Sequence, residues 1–336
     1  MFYKKSSFAI AFVLFLFVFN AVFAQDLDSL NNKKNVKSIH AQMLIPSNIV
    51  QKKGKIISFD TIALKENIIY YYDTMGNLLS DFRYSKDGQP VEGYNYTYNA
   101  KNQLLEKQRT FNQTLYGGKT IYSYKNNGTL LYSTIYDADN NVYRYIGYVY
   151  EDNRLIKKEI FNSARIVIAN QEFKYDENGR IIEFINNDFY KKDKNYSYKQ
   201  FYKDSLLIRK EYFGADGELL LFWIYLYDEK NRLIEEKQYD YEETMLTAEY
   251  KTDDKIGNMI VNHRIDTQIS KRMKMVYTYW SDGNYKSLKV YTDDSKRPQY
   301  YKECFYDERG NWILWKESDN NKKIIAIGCR SIEYFD

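Results

Sequence analysis

Few residues in this chain have the type and spacing needed for acid–base chemistry. The chain holds two histidines, His40 and His263, and only His263 has an acidic residue close by, Asp266, three positions further on. Catalysis by such a pair requires a third group that orients it, and the spacing suggests none. The sequence therefore predicts no catalytic residue, no cofactor site and no metal site, and it leaves the ligand-binding residues unknown.

One acidic position recurs along the chain and could be imagined as a series of calcium ligands at stacked turns. It is occupied by Asp73, Asp176, Asp228, Asp254 and Asp307. In other copies the same position is Asn99, Lys125 or Lys203, and a lysine cannot bind a cation. The pattern favours side chains that accept hydrogen bonds from the backbone of tight turns.

The acidic position belongs to an internal repeat. Its motif is an aromatic residue, any residue, Tyr, Asp, two variable residues, Gly or Asn, Asn or Arg, and two apolar residues. The Tyr before the Asp serves as an anchor and recurs at intervals of 25 to 27 residues. The anchors are Tyr72, Tyr98, Tyr124, Tyr150, Tyr175, Tyr202, Tyr227, Asp253, Tyr279 and Tyr306. A weaker aromatic position, such as Tyr84 or Phe213, lies between successive anchors and precedes a second polar turn.

The aromatic residues before each anchor alternate with polar ones, as in Tyr94, Tyr96 and Tyr98. A period of two residues is typical of a half-buried strand, and short polar turns join antiparallel neighbours. The sequence predicts an all-β fold, a repetitive antiparallel β-meander of about 20 strands built from ten units of about 26 residues, two strands to a unit. A sheet this wide is expected to be curved or superhelical.

Packing within the repeat follows from the strand spacing. Successive anchors lie two strands apart, about 9.6 Å, which is too far for their rings to stack. The Leu or Ile of the intervening strand should fill this gap as a cross-strand partner, and the apolar core should form a stripe near the anchor turns. The buried face depends on turn lengths, which the sequence does not settle.

The reiterated Tyr, Asp, Gly or Asn, Leu motif resembles the YD repeat of Rhs and teneurin-type proteins. The half-unit with Asp87 and Gly88 is similar to the variant MORN hairpin repeat. The resemblance covers about residues 59 to 336 and implies a β-hairpin array used as a shell, an adhesive surface or a scaffold. Rhs shells are built from far longer arrays with a self-cleaving segment and a toxic tail. The repeats here continue to the last residues, so toxin encapsulation is not expected.

The chain divides into three predicted parts. Residues 1–24 are typical of a signal peptide, with Lys4 and Lys5 before an apolar run and Ala24 at the cleavage position. Residues 25–55 form a polar lead-in with room for one cap strand, and residues 56–336 form the YD-like β-hairpin repeat array. The chain is therefore expected to be exported, to the periplasm, the cell surface or the medium.

Charge excludes two classes of partner. Lys+Arg number 49 and Asp+Glu 45, and this balance lacks the basic stripe that a nucleic acid requires. Strands that cross a membrane need one uncharged face, yet Glu235 and Lys237 lie on one face of a predicted strand and Glu236 on the other. The chain is predicted not to span a membrane once the signal is removed.

The two cysteines, Cys304 and Cys329, lie in an exported chain, where a disulfide is common. One whole strand is predicted between them, which places their backbones about 9.6 Å apart, whereas a disulfide needs Cα atoms within about 7 Å. Both are therefore expected to remain free.

Three functional classes remain. The first is a non-enzymatic scaffold for protein–protein interaction or adhesion at the cell envelope. The alternative is a glycan-binding module that uses exposed Tyr and Trp side chains, and the minor alternative is an uncharacterised enzyme. A continuous row of open aromatic residues would favour glycans, and a single wide apolar patch would favour a protein partner.

Overall fold

The computed structural model describes residues 35–52, 55–111, 118–293 and 295–335. They form one sheet of 22 antiparallel strands and a single 3-10 turn at Lys192–Lys194. The strands are β1 (Val36–Lys52), β2 (Lys55–Tyr72), β3 (Leu78–Tyr84), β4 (Pro90–Tyr98), β5 (Leu104–Phe111), β6 (Lys119–Tyr124), β7 (Leu130–Tyr136), β8 (Val142–Glu151), β9 (Arg154–Asn162), β10 (Val167–Tyr175), β11 (Ile181–Asp188), β12 (Tyr196–Lys203), β13 (Leu206–Phe213), β14 (Leu219–Tyr227), β15 (Leu233–Asp240), β16 (Met245–Asp253), β17 (Met259–Asp266), β18 (Lys271–Tyr279), β19 (Tyr285–Thr292), β20 (Tyr300–Tyr306), β21 (Trp312–Asp319) and β22 (Ile324–Tyr334).

The predicted antiparallel meander is confirmed, because each strand pairs with the next one along the chain. The ten repeat units appear as ten anchor hairpins, from β2–β3 to β20–β21. One further strand lies at each end, which raises the total to 22. The curvature of the sheet continues to closure, because β1 pairs with β2 on one side and with β22 on the other.

Eight of the ten anchor turns share one backbone geometry, which the first of them illustrates, and the β8–β9 and β12–β13 turns are shorter. The amide of Gly76 donates to the carbonyl of Asp73 at 3.0 Å, and the amide of Asp73 donates to the carbonyl of Asn77 at 3.0 Å. Gly76 has a φ of +84°, a conformation that glycine adopts without steric cost. A register shift of one residue precedes the anchor in all ten hairpins. The Gly or Asn of the motif is therefore the turn residue with positive φ.

Because the strands alternate in direction, the turns fall at two ends of the sheet. The anchor rim holds the turns that follow the anchors, such as residues 73–77. The far rim holds the other turns, such as residues 85–89 and 214–218.

One element extends beyond the far rim. Strand β22 pairs with β1 only as far as Leu44, and β3 pairs with β2 only from Ile68 onward. The remaining parts, residues 45–52 and 55–66, pair only with each other and form a two-stranded ribbon. This ribbon begins within the segment 25–55 that was expected to be a polar lead-in, so the lead-in contributes a full strand that closes the sheet.

The predicted apolar stripe along all anchor turns is wrong. Most buried apolar side chains of the described residues lie in β1, β2 and β18–β22. The three others, Phe184, Phe222 and Ala248, lie one to a strand in β11, β14 and β16. One buried group contains Ile39, Ala41 and Tyr72, and another contains Cys304, Trp312, Trp315 and Ala326. In the middle repeats the buried positions are mostly polar, such as Thr110, Asn170 and Gln238, so the apolar core is concentrated where the sheet closes.

The seam between β1 and β22 is a regular ladder. Ile39 lies opposite Ile332 and Ala41 opposite Arg330. Across the same seam, Lys37 Nζ lies 2.6 Å from a carboxylate oxygen of Glu333.

No helix among the described residues is long and apolar enough to cross a membrane. The predicted signal peptide, residues 1–24, lies outside the described residues.

Candidate functional site

The recurrent aspartates cap their own turns, as predicted. Oδ1 of Asp228 accepts the backbone amides of Lys230 and Arg232, both at 2.9 Å. Asp73 accepts those of Met75 at 2.9 Å and Asn77 at 2.8 Å. The hydrogen bond from the Arg232 side chain lowers the pKa of Asp228. These carboxylates therefore serve the turn backbone.

Six of the anchor tyrosines link their repeat to the one before it. The hydroxyl of Tyr227 donates to the carbonyl of Leu207 at 2.9 Å, while Leu233 lies opposite Tyr227 on the other neighbouring strand. Five other anchors make the same bond to the residue that opens the preceding unit's second strand, or to its neighbour. They are Tyr98, Tyr124, Tyr175, Tyr202 and Tyr279. The predicted cross-strand apolar partner is confirmed, and the hydroxyl bond is an addition that sequence reasoning missed.

A third set of bonds connects several anchor turns to the next one. Nη1 of Arg232 donates to the carbonyl of Asp254 at 3.0 Å, and Nε2 of Gln103 donates to the carbonyl of Gly128 at 2.8 Å. Arg180 reaches the carbonyl of Asp204 in the same way. The polar groups of the anchor rim are thus largely committed to one another, so this rim is mainly structural.

The structure does not assemble the two histidines into a site. Nε2 of His40 lies 2.6 Å from Oδ1 of Asn67. His263 is exposed, whereas Asp266 is buried and accepts the amide of Gln268 at 3.1 Å. Because 263 and 266 differ by an odd number of residues within one strand, their side chains lie on opposite faces. No group of three metal-ligating side chains occurs among the described residues.

The cysteines lie as the meander predicts. Cys304 of β20 pairs with Trp315 of β21, and Cys329 of β22 pairs with Leu314 of the same β21, so a whole strand separates them. Both are free thiols. Burial raises the pKa of Cys304 to about 11, which leaves its thiol protonated and unreactive at neutral pH.

A buried ion pair lies in the core near the seam. Lys302 and Glu317 are 3% and 1% exposed, and Lys302 Nζ lies 3.6 Å from Oε1 of Glu317. Burial raises the pKa of Glu317, and the hydroxyl of Tyr300 and the ammonium of Lys302 partly offset this rise. The ammonium also lies 4.6 Å from the ring centre of Trp315. The two residues lie directly opposite each other in the register of β20 and β21, and a slip of one strand would leave both charges buried without a partner.

The far rim contains a cavity of about 180 Å³ between β17, β18 and β19. Its walls include Arg264, Asp266, Arg272 and Asp293. Arg264 is 9% exposed and lies 3.4 Å from Glu249, while Asp293 accepts the amide of Arg272 at 3.2 Å. With Lys271, three basic and two acidic side chains line the cavity, so their charges partly neutralise each other.

The far rim also carries a row of exposed large apolar side chains. Seven consecutive far-rim connections, from β5–β6 to β17–β18, each have at least one within them or in the first or last two residues of an adjoining strand, and the exposures run from 39% to 70%. The members of this far-rim row are Phe111, Tyr143, Ile166, Phe189, Tyr190, Leu220, Tyr241 and Ile269. Neighbouring connections lie two strands apart, so the row follows an arc of about 58 Å. Sequence reasoning missed the row, although its residues flank the second turn of each unit.

The anchor rim has a different set of exposed apolar residues. Leu79, Leu105, Leu131, Ile182 and Ile234 lie next to the register shifts and are 36% to 41% exposed. They are aliphatic and less exposed than Tyr190 or Tyr241 of the far-rim row. The most exposed anchor-rim residues, Met75 at 69% and Ile256 at 82%, lie in two turns that are not neighbours and form no series. The candidate functional site is therefore the far rim.

No protein-family model matches this chain, and no curated protein matches it. Among solved structures it is similar to the Photorhabdus luminescens Tc holotoxin pore with a mutation in TccC3, at 12% identity and a TM-score of 0.30. That match covers 94% of this chain and 20% of the toxin chain, so this chain spans about a fifth of the toxin's length. It is also similar to a porin-like protein from Bacteroides uniformis, at 10% identity and a TM-score of 0.28, over 89% of this chain and 98% of that one.

Proposed function

We propose that this protein is an exported, non-enzymatic repeat scaffold that binds a protein partner at the cell envelope through the far-rim row. The observation that supports the proposal is the row itself, one or two exposed large apolar side chains on each of seven consecutive connections. Isolated exposed apolar residues are ordinary on protein surfaces, whereas an extended series is typical of an interaction site. Tyrosine and phenylalanine at such positions are also the residues that protein interfaces favour.

The mixed composition of the row favours a protein over a glycan. Ile166, Leu220 and Ile269 alternate with the aromatic members, and an aliphatic side chain offers no ring on which a sugar can stack. A protein partner can bury both kinds of side chain. The anchor rim is a weaker candidate because its polar groups bond to neighbouring turns.

Export to the periplasm, the cell surface or the medium is part of the proposal and rests on the sequence of residues 1–24. We further propose, from the anchor motif, that the chain is a YD-like or variant MORN-like hairpin repeat protein. Ion pairs on both faces of the sheet favour a protein that does not span the membrane after signal removal. Lys157 and Glu159 pair on one face at 2.9 Å, and Arg264 and Glu249 pair on the other at 3.4 Å.

A photo-cross-linking residue placed at position 190 tests the binding surface in the producing cell. The expected result is a discrete protein adduct from position 190 and none from position 105, the matched position on the anchor rim. The double substitution Tyr143→Ser and Tyr241→Ser should weaken the adduct, since both residues belong to the row. Equal labelling from the two rims, or no adduct from either, would contradict the proposal.

Sequencing of the mature N-terminus tests export, and the expected first residue is Gln25.

Glycan binding is the second candidate, favoured by the exposure of Tyr190 at 70% and Tyr241 at 62%. Aromatic faces open to this degree are available for stacking on sugar rings. Binding of the mature chain to a glycan array, abolished by Tyr190→Ser and unaffected by Leu105→Ser, would favour this alternative over a protein partner.

A further inference from the structure

The cavity between β17, β18 and β19 is lined by acidic and basic side chains that do not pair with one another. Asp266 is buried and lies opposite Lys271 in the strand register, yet the two form no ion pair. Asp293 likewise has no basic partner among the described residues. Burial of a charge is costly unless an opposite charge or hydrogen bonds compensate it. The walls therefore offer charges of both signs to a molecule that enters the cavity.

The buried end of the cavity is formed by Arg264 and Asp266, which are 9% and 7% exposed. Nη1 of Arg264 lies 3.4 Å from Glu249, and its Nε has no hydrogen-bond partner in the described part of the chain. Oδ1 of Asp266 accepts the amides of Gln268 at 3.1 Å and Ile269 at 3.3 Å, which leaves the second oxygen for a ligand. A guanidinium binds a carboxylate, and a carboxylate binds an ammonium. Together these two side chains suit both charged groups of an α-amino acid.

The exposed end of the cavity is more basic than acidic. It is formed by Lys271, Arg272 and Asp293. The guanidinium of Arg272 makes no ion pair and no hydrogen bond within the described residues. Asp293 is fixed by the backbone of Arg272, whose amide donates to its Oδ1 at 3.2 Å and whose carbonyl accepts its amide at 2.7 Å. This end therefore favours a ligand side chain with a negative charge.

We infer that the cavity binds a small acidic amino acid, with its α-carboxylate at Arg264 and its α-ammonium at Asp266. The side-chain carboxylate then lies towards Lys271 and Arg272. Two carboxylates and one ammonium complement the three basic and two acidic side chains of the walls. A cavity of about 150 Å³ holds a benzene ring, so the volume of about 180 Å³ has room for a molecule the size of aspartate. No member of the far-rim row lines the cavity, so this inference is independent of the far-rim proposal.

Ligands with fewer charged groups fit the walls less well. A dicarboxylate without an amino group would bring negative charge to the buried carboxylate of Asp266, and a simple amine would leave Arg264 without a carboxylate. An amino acid with a basic side chain would bring a second ammonium to Lys271 and Arg272. Because backbone amides already hold Asp266 and Asp293, these walls are ordered before the ligand enters, which lowers the cost of binding.

Calorimetric titration of the mature chain with matched small molecules tests the ligand class. Aspartate should bind. Succinate has the same two carboxylates but no amino group, and it should bind about tenfold more weakly or worse, because it leaves Asp266 without a partner. Alanine lacks the side-chain carboxylate and should bind more weakly than aspartate, and lysine more weakly still. Binding of no amino acid, or equal binding of aspartate and either succinate or lysine, would overturn the inference.

Substitutions at the exposed end locate the binding. Arg272→Gln removes an exposed charge, so the fold should be retained. Affinity for aspartate should fall about tenfold, whereas affinity for alanine should change little. The matched control is Lys274→Gln, an exposed position on the same strand that does not line the cavity, and it should bind like the parent. Equal effects of the two substitutions on aspartate binding would place the binding elsewhere and overturn the inference.

A substitution at the buried end tests recognition of the amino group. Asp266→Asn removes the charge that the ammonium requires, so binding of both aspartate and alanine should be lost while the circular dichroism signal of the strands is retained. A folded Asp266→Asn variant that binds aspartate like the parent would contradict the assignment. The comparison of Arg272→Gln with Lys274→Gln does not depend on whether this buried variant folds.

Discussion

Backbone conformation at single turn residues divides the hairpins into relaxed and strained ones. Gly217 and Glu243 occupy the same position in two far-rim turns, with φ of +81° and +61°. Glycine adopts this conformation freely, while other L-residues pay about 1–2 kcal/mol. Glu243→Gly should therefore raise the free energy of unfolding by about 0.5–1 kcal/mol, and Gly217→Ala should lower it by about 1 kcal/mol.

Urea unfolding of both variants measures these effects. A Cβ on Gly217 would meet no atom within 4 Å, so any loss reports backbone strain and not a clash. Equal stability of the parent and both variants would contradict the argument.

The anchor tyrosine makes a prediction that separates its hydroxyl from its ring. Tyr227→Phe keeps the ring opposite Leu233 but leaves the carbonyl of Leu207 without its donor. The free energy of unfolding should fall by about 0.5–1.5 kcal/mol. Tyr132→Phe is the matched control, because the Tyr132 hydroxyl makes no hydrogen bond within the described residues. Equal effects of the two substitutions in urea unfolding would show that the inter-repeat bond contributes nothing.

The sequence predicted the roles of these turn residues better than the role of the tyrosine. Positive φ at Gly76 and capping by Asp73 follow from short-range chemistry within one turn. The bond from Tyr227 to Leu207 depends instead on the register of β13 with β14 and on the shift that precedes the anchor. A sequence without its register cannot specify that bond.

At the scale of the hairpin, Arg232 connects two consecutive anchor turns. Its Nε donates to Asp228 at 2.7 Å and its Nη1 donates to the carbonyl of Asp254 at 3.0 Å. Arg232→Lys keeps the charge but loses the planar group that reaches both turns. The urea midpoint should decrease, and by less than for Tyr227→Phe, because solvent screens this pair.

Arg272→Lys serves as the control, since no ion pair or side-chain hydrogen bond of Arg272 occurs within the described residues. The decrease in the urea midpoint caused by Arg232→Lys should be smaller at high salt. A midpoint that shifts equally for both variants would show that Arg232 does not link the turns.

Strand count and hairpin pairing were predictable because local periodicity determines them. The ribbon and the far-rim row were not predictable from the sequence. The ribbon exists because β1 and β2 are longer than β22 and β3, a difference of length that appears only when the strands are aligned. The exposure of Tyr190 or Tyr241 likewise depends on where neighbouring connections lie.

At the scale of the whole molecule, the raised pKa values of partly buried tyrosines lead us to expect that the protein unfolds at alkaline pH. Burial raises the pKa of Tyr277 to about 12 and raises those of Tyr285 and Tyr300 further, from an ordinary value of 10.0. The unfolded chain loses these protons first, so the stabilisation is complete below pH 10 and is lost as the pH rises through about 12.

A titration that follows tyrosinate absorbance together with far-ultraviolet circular dichroism tests this. One group of tyrosines should ionise only at the pH at which the circular dichroism signal of the strands disappears. Tyr277→Phe should make that signal fall less steeply with pH. Ionisation of every tyrosine near pH 10 with the strand signal intact would refute the prediction.

Closure of the sheet is the property that the repeat pattern predicted least, because it depends on the summed twist and stagger of 22 strands. Closure brings the two ends of the described chain together, since the amide of Phe335 donates to the carbonyl of Asn35 at 2.7 Å. A circular permutant that joins these ends by a short linker and opens the turn between Asp216 and Gly217 keeps every strand pair. We expect it to fold with the parent's strand content and to unfold cooperatively.

Deletion of residues 36–52 is the matching disruption. It removes the seam ladder and leaves both β2 and β22 with an unpaired edge, so aggregation should follow. Size-exclusion chromatography and circular dichroism of the two variants distinguish the outcomes. A permutant that fails to fold, together with a deletion that stays monomeric, would mean that the β1–β22 ladder does not hold the molecule closed.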